Sequence, residues 1–183
     1  MLDPLSSWTN AFTNLAPAAD DSWADNMADA VDGLVTNKLA VTTISPSATF
    51  TFNKAIFAAQ LKLATPTDNA VAGCTNFADA WGSAVTASTL VVAPGSYLGA
   101  PTPATTWSVV ILSLVDPASI AAAKAALVIA LTSATPVANA ALSAFPSAFR
   151  AAFATLTASV TGLDSTPSPA GPLPLNVSAQ PMG

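Results

Sequence analysis

Residues 22–31, SWADNMADAV, return at residues 76–85 as NFADAWGSAV, with Ala, Asp, Ala and Val in register and an aromatic residue second in each. Apolar residues in both stretches fall three and four apart, the spacing of one face of an α-helix. In the first, Asp21, Asp25, Asp29 and Asp32 lie on one side, and Trp23, Met27, Val31 and Leu34 lie near the other. That pattern is a strongly amphipathic helix. A looser echo joins KAIFAAQLKLATPTDNA from Lys54 to KAALVIALTSATPVANA from Lys124.

Working outward, Asp3-Pro4 supplies an N-cap acceptor followed by proline at the first helical position, where its missing N–H costs nothing. Leu5, Trp8, Phe12 and Leu15 then mark one helix face, and Pro17 ends it. After Leu39 the texture changes: VTTIS and ATFTF are rich in β-branched and aromatic residues and flank a turn at Pro46-Ser47, as a short hairpin or two extended segments. The spacing predicts a helix from about Asn53 through Ala64. A second follows from Asp68, with Val71, Cys74, Phe77, Trp81 and Val85 on one face. STLVVAP and TTWSVVILSLV read as two strands around a long Gly/Pro-containing connection. Asp116-Pro117 repeats the opening device, and ASIAAAKAALVIALTSA is helical by its alanine content, ending near Thr135-Pro136. Phe145-Pro146 marks a further break, after which Phe149, Phe153, Leu156 and Val160 supply another apolar face before Gly162.

The chain therefore reads as mainly α, of the α+β kind: amphipathic helix pairs with short β-hairpin-like segments. It divides into a single mainly helical domain over 1–163 and an extended Pro-rich C-terminal arm over 164–183. A unit of two helices and two extended segments is met in 3–52 and 53–115, and as helices alone in 116–163. Internal duplication and the shared chemistry of alanine-rich amphipathic helices both account for the echoes, and both give this architecture. Trp8, Trp23, Trp81, Phe149 and Phe153 are the expected core aromatics.

Composition bounds the function. The 183 residues suffice for one domain with a real core. They are 52% hydrophobic and only 8% charged, against roughly 25% charged in an ordinary soluble domain. Ten acidic residues, all Asp, face five basic ones for a net charge of -5, the wrong sign for holding phosphate backbones, so no nucleic-acid partner is expected. The most apolar stretch, 105–134, is interrupted by Asp116, Pro117 and Lys124 into runs shorter than the roughly 20 residues of a spanning helix, so no spanning helix is expected. The opening MLDPLSSWTN shows neither the basic nor the apolar region of a signal peptide.

The chemical inventory points the same way. Without His or Glu there is no Ser-His-Asp or Cys-His constellation, and Cys74, the only cysteine, supports neither a disulfide framework nor a zinc ligand set. GSYLG puts Tyr97 where a nucleophile elbow needs Ser, and TFNK at 51–54 lacks the companion motifs of an S-x-x-K site. No phosphate-cradling glycine loop occurs. The stripe Asp21, Asp25, Asp29 and Asp32 lacks the Gly and terminal Glu of a calcium loop and reads as a solvated helix face. No catalytic residue, metal or cofactor is expected.

The tail DSTPSPAGPLPLNVSAQPMG carries five prolines and two glycines after Asp164 and no charge, a composition that forms no core of its own. Ordering about twenty backbones costs on the order of 1 kcal/mol each. Leu173, Leu175, Val177 and Met182 are the residues to offset this by apolar burial, as partner-binding anchors of an arm laid on a neighbouring subunit, with LNVSA as an added edge strand. The other placement folds the arm back across its own domain, completing the strand pair that the third unit lacks.

Low charge, the absence of catalytic groups and an uncharged arm lead to a non-enzymatic subunit of a larger protein assembly, whose partners are other chains of the same or different kind. In general character, an Ala-, Thr- and Pro-rich chain with neither His nor Glu and a clasping terminus is similar to the small structural proteins of bacteriophage particles. That resemblance implies a virion location, in head, neck, tail or baseplate. A secreted or surface adhesin-like module is the alternative, and a membrane-active protein or an Asp/Lys-based enzyme stands behind it.

Overall fold

Short polar side chains set where the helices begin. Asn53 accepts a hydrogen bond from the backbone N–H of Ile56 at 3.1 Å, Asn69 from Val71 at 3.0 Å and Ala72 at 3.2 Å, and Asp116 Oδ1 from Ala118 at 3.0 Å. The computed structural model describes residues 2–13, 22–41, 48–64, 69–91, 112–134, 138–164 and 173–182. Leu15, Pro17, Asp21, the Pro46-Ser47 turn, the 92–111 connection and Thr135-Pro136 lie outside the described residues.

The elements follow one order three times. Helices α1 (Leu5–Thr13) and α2 (Ser22–Val35) precede strands β1 (Ala40–Val41) and β2 (Ala48–Thr51). Helices α3 (Lys54–Leu63) and α4 (Ala70–Thr86) precede β3 (Thr89–Val91) and β4 (Leu112–Val115). Helices α5 (Pro117–Ala134) and α6 (Ala138–Ala154) precede β5 (Thr157–Asp164) and β6 (Leu173–Pro181). The fold is mainly helical with a minor β component. Strands form two antiparallel three-stranded sheets, β1-β2-β3 and β4-β5-β6, and β3 and β4 run close to each other. Every strand attaches at the same end of the helix pairs, beside the N-termini of α1, α3 and α5 or the C-termini of α2, α4 and α6.

Within each unit the residue that opens the first helix is bonded to the segment that leaves the second. Lys38 Nζ donates to both Asp3 carboxylate oxygens at 2.9 and 2.8 Å. Asn53 donates its backbone N–H to Ser88 Oγ at 2.9 Å and its side-chain amide to the carbonyl of Ala87 at 3.2 Å. Asp116 donates its N–H to the carbonyl of Thr157 at 2.8 Å and accepts from Thr157 Oγ1 at 3.3 Å. Each helix packs on the next along the chain and α6 packs on α1, so the six helices close a ring. Arg150 of α6 reinforces that closure by donating from Nε to the carbonyl of Asp3 at 2.9 Å.

Aromatic side chains fill the ring. Phe153 lies 5.6 to 6.5 Å, centroid to centroid, from Trp8, Phe50, Phe52, Trp81 and Phe149. Above it Phe77 and Phe145 meet edge to face at 4.7 Å, and Phe12 lies 5.6 Å from Phe145. Such offset and T-shaped pairs add about 0.5 to 1.5 kcal/mol each beyond their buried area. Trp8, Trp81, Phe149 and Phe153 are fully buried as expected.

Four expectations need correction. Trp23 is 39% exposed, and α2 turns Ala24 and Ala28 inward beside Val31, Leu34 and Val35, because small residues let it approach its neighbours closely. Leu5 and Val71, placed on the inner faces of α1 and α4 by spacing, are likewise exposed. Pro146 does not break the chain but sits inside the continuous helix α6. The roughly 3 kcal/mol that an interior proline costs is opposed by the stacked pair Phe145 and Phe149 at 5.3 Å. Finally, Leu156 and Val160 do not extend a helix. Thr155, Leu156 and the β-branched Thr157, Val160 and Thr161 leave α6 and enter β5, so the third unit has its strand pair.

Candidate functional site

The C-terminal segment comes first, since the anchors expected from sequence lie there. Leu173, Leu175 and Val177 stand in β6 opposite Asp164, Gly162 and Val160 of β5, and the pairing runs on to Thr157 opposite Pro181. Met182 follows, its N–H donated to the carbonyl of Leu156 at 3.2 Å and its side chain 1% exposed. Phe50 holds the corresponding place in the first unit, bonded to the carbonyl of Leu39 at 3.0 Å and equally buried. Of the expected arm over 164–183, the described residues Leu173–Pro181 form a strand paired with β5 of the same chain.

The alternation of that ladder fixes which edge of β6 is free. Leu156 bonds toward β6, while Thr157 takes the N–H of Asp116 on the other side, so odd positions of β5 face β4 and even positions face β6. Pro181 opposes Thr157 and Pro174 opposes Leu163, both odd positions. The missing N–H of each proline therefore lies on the outer edge of β6, where no ladder bond is lost. The same two prolines remove donors from that edge and blunt it against an added strand. A one-residue irregularity between Ala158 and Val160 twists it further.

The acidic stripe is a clasp. Asp25 accepts two bonds from Lys62 at 2.8 and 2.7 Å, and Asp29 accepts from Lys54 at 2.7 Å with Asp32 3.8 Å from the same ammonium. Asp32 also accepts from Thr36 Oγ1, whose oxygen accepts the N–H of Phe52 at 3.0 Å. The clasp joins α2 of the first unit to α3 of the second. At the next boundary Asp79, which matches Asp25 in the sequence echo, pairs with Lys124 of α5, whose stem lies 3.5 Å from where a Cβ on Gly82 would be. With Lys38 on Asp3 and Arg150 on the Asp3 carbonyl, all five cationic side chains of the chain are engaged internally. Reading helices one at a time missed these lysines. The signal was present, since Lys54 and Lys62 lie on one face of α3 at the spacing that meets Asp29 and Asp25.

The hydrogen bond and charge of Asp29, with the weaker charge of Asp32, raise the Lys54 ammonium above the ordinary lysine value against a small opposing effect of desolvation. A raised lysine stabilises the fold fully below its unfolded pKa and loses that contribution as pH climbs through the folded one. Lys54→Met should accordingly lower the melting temperature at neutral pH, and the difference from the parent chain should begin to close above about 10.4, the unfolded lysine value, and vanish as pH climbs through the raised folded one. A difference that persists unchanged at higher pH would assign it to packing instead.

Between α4 and α5 runs a groove of about 680 Å³, bounded at one end by the Asp79–Lys124 pair and lined by Ser83, Thr86, Val115 and Ile120. Thr86 Oγ1 donates to the carbonyl of Gly82 at 2.8 Å, and Ser88 Oγ, which also lines the groove, donates to the carbonyl of Ala84 at 2.7 Å. Among the described residues no group of three potential metal ligands occurs, and no helix is long and apolar enough to cross a membrane.

Among the described residues, large apolar side chains reach the surface chiefly away from the strands. Leu63 is 74% exposed, Ile129 66% and Val71 51%; with Trp23 they lie toward the ends where the helices of a pair are joined. Comparison with protein families, curated proteins and solved structures returns no match for this chain.

Proposed function

We propose that this chain is a non-catalytic structural subunit of a larger protein assembly, built from three copies of a two-helix, two-strand unit. One observation carries the reading: every cation is spent inside the molecule, while Leu63, Val71 and Ile129 are left to water. A charge-poor surface that leaves large apolar side chains exposed toward one end gains from neighbours that cover it. All five cationic side chains already have internal partners, which weighs against holding a phosphate backbone, and the Thr86 and Ser88 hydroxyls of the groove are bonded to helix carbonyls. The compositional similarity to small bacteriophage structural proteins makes a virion the assembly in which such a subunit belongs.

The contact surface is the helix-joining end. Leu63→Asp combined with Ile129→Asp should leave the melting temperature within the small range of surface substitutions, about 0.5 kcal/mol, and sharply reduce association in sedimentation at high concentration. Association equal to that of the parent chain would remove this end from the interface.

A further inference from the structure

Strand β6 packs on β5 and on no other element to a comparable extent. Its bonds are the ladder from Leu173 opposite Asp164 to Pro181 opposite Thr157, completed by the N–H of Met182 on the Leu156 carbonyl. All of these would form identically with β5 of a second copy, and the helix ring would not be disturbed. The outer edge of β6 is blunted, for Pro174 and Pro181 present it without a donor while Asn176 still faces it. Replacement of β6 by its counterpart keeps every hydrogen bond of the ladder, whereas a strand added beside it would meet those two donor gaps.

We propose that β6 is an exchangeable strand. In assemblies of this chain Leu173–Pro181 pairs with β5 of a second copy, and Met182 fills that copy's site beside Leu156. The inference rests on the assembly reading above and names its partner as the same chain. Sequence supplies the reach. The residues between the strands, 165–172, read STPSPAGP, where a two-residue turn would suffice to join antiparallel partners. Proline-rich linkers span roughly 3.1 Å per residue, so eight residues reach roughly 25 Å. Exchange of an identical element between protomers is a low-cost route to association because no new interface must be invented.

Thr161 and Asn176 oppose each other at a non-hydrogen-bonded position of the ladder, where a cross-strand disulfide is sterically allowed. In a Cys74→Ala background, Thr161→Cys with Asn176→Cys should oxidise to reducible covalent dimers whose fraction rises with protein concentration. Disulfides formed only within single chains, at concentrations where the native mass still exceeds one chain, would overturn exchange and leave the assembly reading standing. A native mass of one chain at every concentration would sink the assembly reading itself, and exchange with it. A second variant asks the question without cysteines. Replacing 165–172 by Asn-Gly closes a tight hairpin and confines β6 to its own chain. Exchange predicts a fall in native mass relative to the parent, and an unchanged mass refutes it.

Discussion

Phe153→Ala is expected to cost about 3 to 5 kcal/mol. The ring of Phe153 is fully buried and within 6.5 Å of five other aromatic rings, contributed by α1, β2, the residue Phe52 just after β2, α4 and α6. Its removal opens a cavity at the point where all three units meet, and rigid neighbours on every side prevent collapse. For a chain of this size each kcal/mol moves the melting temperature by about 2 to 4 °C. Denaturant unfolding should show a lower midpoint with an unchanged slope. Phe145→Ala, at a half-buried position, should cost less. A loss below about 1 kcal/mol at Phe153 would mean that the units do not share one core.

Met182→Ala is the second. A residue on a loose segment would tolerate any substitution, whereas Met182 is 1% exposed and bonded through its backbone to Leu156. Truncating a buried methionine costs about 2 to 5 kcal/mol. The size of the effect does not depend on whether β6 comes from the same chain or a second copy, but its dependence on protein concentration does. An unchanged midpoint would detach the C-terminus from the fold.

Most helices were legible because each of their signals is local. Asp3-Pro4, Asn53 and Asp116-Pro117 announce helix starts, and the three-and-four spacing of Trp8 with Phe12 or Phe77 with Trp81 identifies the inner face. Spacing failed where neighbours decide. Trp23 and Ala24 stand side by side in sequence, and only the closeness of the packing partners selects the alanine. It failed again after Phe153, where Leu156 and Val160 continue a helical period although Thr155, Thr157 and Thr161 favour a strand. That strand's partner lies beyond eight intervening residues, and a non-local pairing leaves no periodic mark. The clasp of Asp25 and Asp29 with Lys62 and Lys54 was hidden for the same reason, since each helix taken alone shows only a charged face.

Asn37 gives a smaller example of local legibility. It follows α2 with φ of 60° and donates its N–H to the carbonyl of Phe50 at 2.9 Å, turning the chain out of the helix into β1. Asparagine tolerates the left-handed conformation better than other residues with a side chain, so the helix ends there without a glycine.

The most direct measurement is the native mass of the full-length chain, purified alone, across a wide concentration series. A surface with all its cations consumed and Leu63, Val71 and Ile129 uncovered predicts a mass above that of one chain, rising with concentration. A particle that keeps the mass of a single chain and stays freely soluble at the highest concentration would contradict the account.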